Sequence, residues 1–321
     1  MSYSSLLGAT VGVFLVCVGS ALGAAAQATA PLVLQSDFGT KDVAVASMKG
    51  VAVGVSRDIA IYDNTHEIPA FNIWEASLRL AEVADYWPRG TVFVSVVDPG
   101  VGTERRSVVL KTRAGHYYVS PDNGSLTAVA QKYGIAAVRE IDEAVNRLRD
   151  SERSYTFHGR DVYAYTGARL AAGVISFRQV GRRLADEVVE IPYQRPTRTA
   201  AGLLGNIEVL DPQFGNLWTN VPRELFEELR LEPGAAVRVI IRKTLVGADA
   251  GAGAATTQPI YDGVMPYRRS FGRVPVGAPL LYLNSLSKVS IALNQGDFAA
   301  THGVGSGPLW QIELRIDAST P

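Results

Sequence analysis

The sequence predicts two domains, an α/β domain with a mainly parallel central sheet followed by a smaller all-β domain that forms a barrel or a sandwich. Three observations lead to this prediction. The chain has 321 residues, of which 47% are hydrophobic, so it exceeds the usual size of a single domain. Strand-like and helix-like segments alternate from about residue 32 to residue 181. Beyond residue 203, short strand-like segments replace helical windows.

The first segment of the chain differs from the rest because residues 1–36 contain no Asp, Glu, Lys or Arg. An apolar run over residues 6–26 ends at Ala26-Gln27-Ala28, a small-x-small pattern that predicts a signal peptide over residues 1–28 with cleavage near Ala28. We therefore expect a periplasmic or secreted protein that does not contact the membrane once mature. Because the segment has no basic residue, an uncleaved N-terminal anchor is the alternative.

The α/β domain is predicted over residues 30–190. Its strand signals end in polar residues, and one of them is a nearly continuous β-branched run typical of a strand buried on both faces. The predicted strands cover residues 31–38, 58–65 and 91–98, and the predicted helices cover residues 43–55 and 72–87. In a parallel sheet of this kind, binding groups collect at the carboxyl ends of the strands.

The all-β domain is predicted over residues 203–316, after a Pro- and Thr-containing linker over residues 191–202. A stretch of Gly, Ala and Thr without any period, between residues 246 and 273, predicts an exposed loop. The chain carries 31 basic and 31 acidic residues, so it lacks the positive field that binds nucleic acid. We expect a small-molecule substrate and no nucleic-acid partner.

Two short motifs carry the candidate chemistry. Asp98 directly follows the strand at residues 91–98, and the glycines after it allow the backbone to approach a ligand, although an ordinary turn has the same pattern. His158 stands before a predicted helix, with Asp161 three residues on. Metal binding by this pair is an alternative, but the chain has no HExxH motif, and we expect no metal. A serine hydrolase is disfavoured because Ser306 lacks the glycine of a nucleophile elbow.

Six motifs, taken together and in this order, resemble the S-adenosyl-L-methionine (SAM) hydroxide adenosyltransferases, which are relatives of fluorinase and chlorinase. The motifs lie at residues 36–40, 96–103, 120–124, 157–161, 214–220 and 284–285. Each motif alone is short, whereas six of them in the order of the family are specific.

The resemblance implies that water attacks the 5′ carbon of SAM and releases adenosine and L-methionine. It also implies a homotrimer with active sites between subunits, and no cofactor, since SAM is the substrate. The implied catalytic residues are Asp98, Arg105 and His158, and which of the three takes the proton stays open. The implied substrate-binding residues are Asp37, Phe71, Asp211, Phe214, Asn216, Trp218 and Ser285.

Two departures from the halogenating relatives favour hydrolysis, because those relatives carry tyrosine in place of Asp98 and serine in place of Gly159. Leu286 and Leu293 replace arginines of fluorinase, which leaves the recognition of the methionine carboxylate open. SAM is scarce outside the cytoplasm, so the alternative is an exported adenosine-type nucleoside-binding protein or a hydrolase of another adenosyl compound. The Asp-Arg-His set favours an enzyme, because a binding protein has no use for it.

Overall fold

The computed structural model describes residues 29–246 and 256–316. The predicted signal peptide over residues 1–28 lies outside the described residues. Among the residues described, no helix has the length and apolar character needed to cross a membrane. The chain forms an α/β domain with a mainly parallel sheet, followed by a domain with a curled antiparallel sheet. The predicted fold class is confirmed.

The first domain contains a six-stranded sheet of order β2-β1-β3-β5-β4-β6. Its strands are β1 Leu32–Ser36, β2 Ile61–Thr65, β3 Val92–Val96, β4 Ser107–Thr112, β5 Tyr117–Pro121 and β6 Ile135–Glu140. Its helices are α1 Ala44–Val55, α2 Ile73–Val83, α3 Thr127–Tyr133 and α4 Tyr165–Ala171. The pairs β1–β2, β1–β3 and β3–β5 are parallel, whereas β4 runs antiparallel to both of its neighbours.

Both faces of this sheet are covered, which explains why the central strands β1 and β3 are buried at every position. Side chains alternate between the faces of a strand. Leu32 and Leu34 of β1 therefore pack with Met48 of α1, whereas Val33 packs on the other face with Leu80 of α2. The chain leaves β1 on one face to form β2 and returns on the other face to form β3. The carboxyl ends of β1 and β3 thus flank a topological switch point, where open α/β sheets bind ligands.

The second domain contains an antiparallel sheet of order β11-β10-β14-β8-β9-β13-β12, with β7 paired to β8. The strands are β7 Thr197–Thr199, β8 Gly202–Leu210, β9 Leu217–Pro222, β10 Ala236–Leu245, β11 Thr256–Pro266, β12 Pro279–Leu283, β13 Lys288–Leu293 and β14 Trp310–Arg315. Two short helices, α5 Arg223–Glu227 and α6 Phe298–His302, lie between them. The sheet curls until its edges meet just beyond β11, where the Arg268 backbone N–H donates to the Leu281 carbonyl at 2.8 Å.

The predicted loop between residues 246 and 273 is wrong over β11, which pairs with β10 along its whole length. Much of β11 is exposed, so it lacks the apolar alternation of a half-buried strand. The register slips between Ile241 and Arg242 because β11 has one extra residue there, Ile260, and Pro259 lies directly beside this bulge. An edge strand tolerates proline at such a position. Residues 247–255 of the same prediction lie outside the described residues.

The two domains pack through α2 and β8. The Trp74 indole N–H donates to the Glu208 carbonyl at 2.8 Å, and Trp74 packs with Leu78 and Val209 in a small apolar cluster. Tyr193, from the segment between the domains, stacks edge-on against Trp74 with ring centroids 4.8 Å apart. These contacts hold the second domain against the α2 side of the first domain.

Candidate active site

The candidate site is a cavity of about 250 Å³ at the switch point of the parallel sheet. Asp37 follows β1 and Asp98 follows β3, and both side chains line this cavity. Phe71 and His158 line it as well. The strand order therefore brings together four predicted site residues that are far apart in the chain.

Asp98 and Arg105 form a buried ion pair whose side chains are 5% and 11% exposed. Arg105 Nε lies 2.9 Å from Asp98 Oδ1, and its Nη2 lies 2.5 Å from Oδ2. The same Nη2 lies 2.9 Å from His158 Nδ1. Arg105 does not line the cavity, whereas Asp98 and His158 do. Arg105 thus stands behind the two cavity-facing residues and joins them.

His158 precedes a π-helical segment, Gly159–Ala164, that continues directly into α4. Wide turns of this kind occur often at functional sites. The imidazole is buried, and burial is the largest cause of a His158 pKa below its ordinary value. Glu143 opposes this decrease, Arg105 and Arg147 add to it, and Asp98 opposes it more weakly.

The hydrogen bond from Arg105 assigns the tautomer of His158. A guanidinium can only donate, and the contact of Arg105 with Nδ1, at 2.9 Å, is shorter than the 3.5 Å between Arg147 and Nε2. We therefore assign Nδ1 of His158 as the acceptor and place the single proton of the neutral ring on Nε2. His158 is therefore unable to take a proton at Nδ1 without losing its bond to Arg105.

Behind the ion pair lies a set of polar residues that the motifs did not predict. The Tyr163 hydroxyl lies 3.4 Å from Asp98 Oδ2 and 3.2 Å from Ser107 Oγ, which in turn accepts from Arg105 Nη1 at 3.2 Å. Tyr163 is completely buried, and burial raises its pKa. Tyr163 stays a neutral hydroxyl, so it can donate to Asp98. Its sequence neighbourhood reads as an ordinary buried helix, which gave no signal of this role.

Asp37 and Phe71 form another part of the cavity wall. Its Oδ2 accepts from the Phe71 backbone N–H at 2.9 Å. Phe71 has a φ of 66°, a left-handed conformation that is unusual for an aromatic residue, and its side chain is 70% exposed. Backbone strain of this kind clusters at ligand sites. Asp37 and Phe71 therefore hold each other at the mouth of the cavity.

A Ser-His-Asp hydrogen-bond chain lies beneath this wall. Ser36 Oγ lies 2.7 Å from His66 Nδ1, and His66 Nε2 lies 3.1 Å from Asp63 Oδ1. The order matches a catalytic triad, but the Ser36 side chain is completely buried and does not line the cavity. It therefore has no access to a substrate. These hydrogen bonds instead connect the end of β1, next to Asp37, to the loop after β2.

The remaining five predicted substrate-binding residues do not line this cavity. Phe214 and Asn216 line a separate cavity of about 610 Å³ in the second domain, together with Phe271, an aromatic residue that the motifs did not single out. Asp211 lies beside them, because its Oδ1 accepts from the Phe214 backbone N–H at 3.3 Å. Trp218 packs at the domain junction, with the Arg79 guanidinium 5.7 Å from its ring centre.

Ser285 lines a larger cavity, about 750 Å³, which lies between the domains. Size alone would favour that cavity as the active site. We place the site at the smaller one because a buried carboxylate, a guanidinium and an imidazole with a shifted pKa converge there.

Asp161, which the alternative of metal binding pairs with His158, already forms an ion pair. Asp161 is completely buried, and its carboxylate is taken by Arg160, whose Nε lies 2.7 Å from Oδ1. Within residues 29–246 and 256–316, no group of three or more His, Cys, Asp or Glu side chains is placed to hold a metal ion.

The comparisons with known proteins agree with these motifs. Residues 32–181 match the N-terminal domain of the SAM hydroxide adenosyltransferases, and residues 205–311 match the C-terminal domain. An (R)-S-adenosyl-L-methionine hydrolase of Thermus thermophilus is 32% identical over 86% of this chain and 97% of its own length. A fluorinase of Actinopolyspora mzabensis is 26% identical over 86% of this chain and 94% of its own length. The crystal structure of an uncharacterized conserved protein from Thermotoga maritima superposes with a TM-score of 0.74 at 33% identity, over 88% of this chain and 99% of that one.

Proposed function

The chain belongs to the SAM hydroxide adenosyltransferase family, and we propose that it uses Asp98, Arg105 and His158 to hydrolyse SAM to adenosine and L-methionine. The observation that carries this proposal is the hydrogen-bonded set in which Arg105 joins Asp98 to His158 at the wall of the cavity. The reaction forms a C5′–O bond and breaks the C5′–S bond, whose electron pair goes to sulfur. The leaving group is a neutral thioether, so no general acid is needed.

Water is a poor nucleophile, and the protein must orient it in line with the C5′–S bond. Asp98 is the cavity-facing group best able to do this. A carboxylate has about four acceptor positions. Within the described residues, Oδ1 of Asp98 is hydrogen-bonded to Arg105 Nε alone, which leaves it free to accept from a water in the cavity. We assign Asp98 as the acceptor of the water proton.

Arg105 acts as the positioning residue of the set, because it binds Asp98 and His158 at once and does not line the cavity. The arrangement also favours water over halide. An anionic carboxylate repels a halide ion. A Cβ at Gly159 would lie 3.1 Å from the Phe38 ring and 3.1 Å from Val96 Cγ1, so a larger residue there would crowd the cavity wall.

The substrate-binding proposal divides between the two domains. The Phe71 N–H binds only Oδ2 of Asp37, so Oδ1 can accept from the cis-diol of the ribose. The Phe71 ring would pack against the ribose. We assign Phe214 and Asn216, which line one cavity, to the adenine side. Trp218 keeps its predicted role without an assigned part of the substrate, and its packing at the domain junction also fits a core residue. Asp211 and Ser285 are assigned to the methionine end.

Two observations support a second subunit at the site. The cavity at Asp98 encloses about 250 Å³, which is below the range of roughly 300–1,000 Å³ typical of small-molecule sites. Phe71 and Phe214 are 70% and 62% exposed, although each lines a cavity. We propose a homotrimer in which the Asp98 cavity of one subunit faces the Phe214 cavity of the next. Each would then supply the wall that the other lacks.

The remaining proposals rest on the sequence. We propose that residues 1–28 are a signal peptide, that the mature protein is periplasmic or secreted, and that no cofactor takes part. The domain limits follow as 30–190 and 203–316, with 191–202 as the linker.

The test is to incubate the purified protein with SAM in ¹⁸O-labelled water and to analyse the products by chromatography and mass spectrometry. We expect adenosine and L-methionine in equal amounts, with the label at the 5′ oxygen of adenosine. Binding without turnover would support the alternative of an adenosine-type nucleoside-binding protein. Turnover of a different adenosyl compound in preference to SAM would support the other alternative.

A further inference from the structure

Arg147 is a buried guanidinium for which the motifs assign no function. Its side chain is 9% exposed, and its Nη1 lies 3.5 Å from His158 Nε2. The same Nη1 donates to Glu143 Oε2 at 2.7 Å, and Nη2 donates to the Ser154 carbonyl at 2.9 Å. The guanidinium is therefore held in one place by groups from residues 143–154. None of the residues 143–154 lines the cavity, so Arg147 reaches it only through His158.

His158 consequently lies between two guanidinium groups, one at each ring nitrogen. Arg105 donates to Nδ1 at 2.9 Å, and Arg147 stands at the Nε2 side. Five charged side chains lie near the ring: Arg105, Arg147, Glu143 and Asp98, which interact with it electrostatically, and Asp37, which lines the same cavity. Tyr155 covers the ring edge, with centroids 6.3 Å apart.

The charges are arranged as two ion pairs on either side of the ring. Asp98 pairs with Arg105, and Glu143 pairs with Arg147. A second proton on His158 would remove the acceptor that Arg105 uses, and it would place a positive ring between two positive groups. Arg105 would then lose its hydrogen bond to Nδ1, and the geometry of its hydrogen bonds to Asp98 would change.

We propose that Arg147, held in place by Glu143, is a positioning residue that keeps His158 neutral, so that Nδ1 continues to accept from Arg105 and Arg105 continues to hold Asp98. Arg147 and Glu143 act in opposite senses: the arginine disfavours the imidazolium and the glutamate favours it. The bearing of this pair on catalysis rests on the proposed function, whereas its effect on His158 does not.

The experiment is an NMR titration of the histidine side chains in the full protein. The chain has four histidines, and His158→Gln assigns the signal of His158. In the wild type, the midpoint of His158 should lie below the ordinary value of about 6.5. Arg147→Gln should raise that midpoint, Glu143→Gln should lower it, and the double variant should return toward the wild type.

Two further variants make the result specific. Arg149→Gln removes the same charge from a position two residues away in the chain, so it should leave the midpoint unchanged. Arg147→Lys retains the charge and should keep the midpoint near the wild-type value, even where Arg147→Gln folds poorly. The proposal is overturned if Arg147→Gln and Glu143→Gln shift His158 in the same direction or leave it unmoved.

Activity gives a separate readout. Arg147 does not line the cavity, so Arg147→Gln should leave KM near the wild-type value and should move the acid limb of the kcat profile to higher pH, together with the NMR midpoint. A kcat profile that stays in place while the NMR midpoint moves would overturn the catalytic part of the inference. Opposite NMR shifts in a protein that never hydrolyses SAM would refute the proposed function and leave the positioning role intact.

Discussion

Asp98→Asn tests the centre of the site, because it removes one charge and almost no volume. Asp98 and Arg105 are 5% and 11% exposed, so the variant leaves the guanidinium buried without its counter-charge. Removing one partner of a buried ion pair costs about 3–5 kcal/mol. The asparagine oxygen still accepts one hydrogen bond from Arg105. We therefore expect a decrease in the free energy of unfolding near the lower limit, about 3 kcal/mol.

The catalytic effect should be larger than the effect on binding. Loss of a positioned proton acceptor decreases the rate by about 10²–10⁴-fold. SAM affinity should change by less than about tenfold, because the shape of the cavity is retained. Adenosine formation gives kcat, isothermal calorimetry gives the SAM affinity, and urea unfolding gives the stability.

The matched control is Asp85→Asn, the same substitution in the exposed Asp85–Lys132 pair. Those side chains are 55% and 44% exposed, so the pair contributes only about 0–1 kcal/mol. Equal destabilisation by the two variants would refute the argument from burial. Wild-type turnover in Asp98→Asn would remove Asp98 from the mechanism, and loss of SAM binding together with turnover would show that Asp98 binds the substrate.

Three further predictions follow from the same structure. Because the pKa of His158 is decreased in the folded protein, the unfolded chain binds more protons between that pKa and about 6.5. The free energy of unfolding should therefore fall as the pH decreases through this window. Urea titrations at several pH values measure this dependence, and His158→Gln should make it weaker. Gly215→Ala should destabilise the second domain by about 1–3 kcal/mol, because its φ is 61° and a Cβ would lie 1.8 Å from Asp297 Oδ1; an unchanged urea midpoint would count against a left-handed turn at Gly215. Mixing Asp98→Asn with Asn216→Ala should restore part of the activity if the site lies between subunits, and no recovery in mixtures shown by native mass spectrometry to have exchanged subunits would place the site within one chain.

Local sequence patterns determined the class of the fold and the positions of the main site residues. The apolar β-branched run before Asp98 predicts a strand because a strand buried on both faces needs apolar residues at nearly every position. The positions of Asp98 and His158 at the ends of elements follow from turn chemistry over a few residues. The resemblance to SAM hydroxide adenosyltransferases, carried by six motifs, is confirmed by the match over both domains.

Other features depend on partners that are far apart in the chain. The antiparallel strand β4 is nearly as buried as the parallel strands β1 and β3, and β11 is too exposed to show the apolar alternation of a strand, so pairing alone determines both. Burial patterns of single segments carry no information about direction or register.

The sequence by itself determined which residues could carry the chemistry, and only the tertiary structure decided how they work together. Arg105 reaches a histidine 53 positions away, and Tyr163 reaches an aspartate 65 positions away. The order of strands in the sheet makes these contacts, and no periodicity within one segment specifies that order. The tertiary structure therefore placed Arg105 behind Asp98, set Arg147 at the far side of His158, and separated the predicted substrate contacts into different cavities of one chain. Hydrogen bonds and ion pairs act over a few ångströms in space, whereas sequence patterns report only on neighbours along the chain.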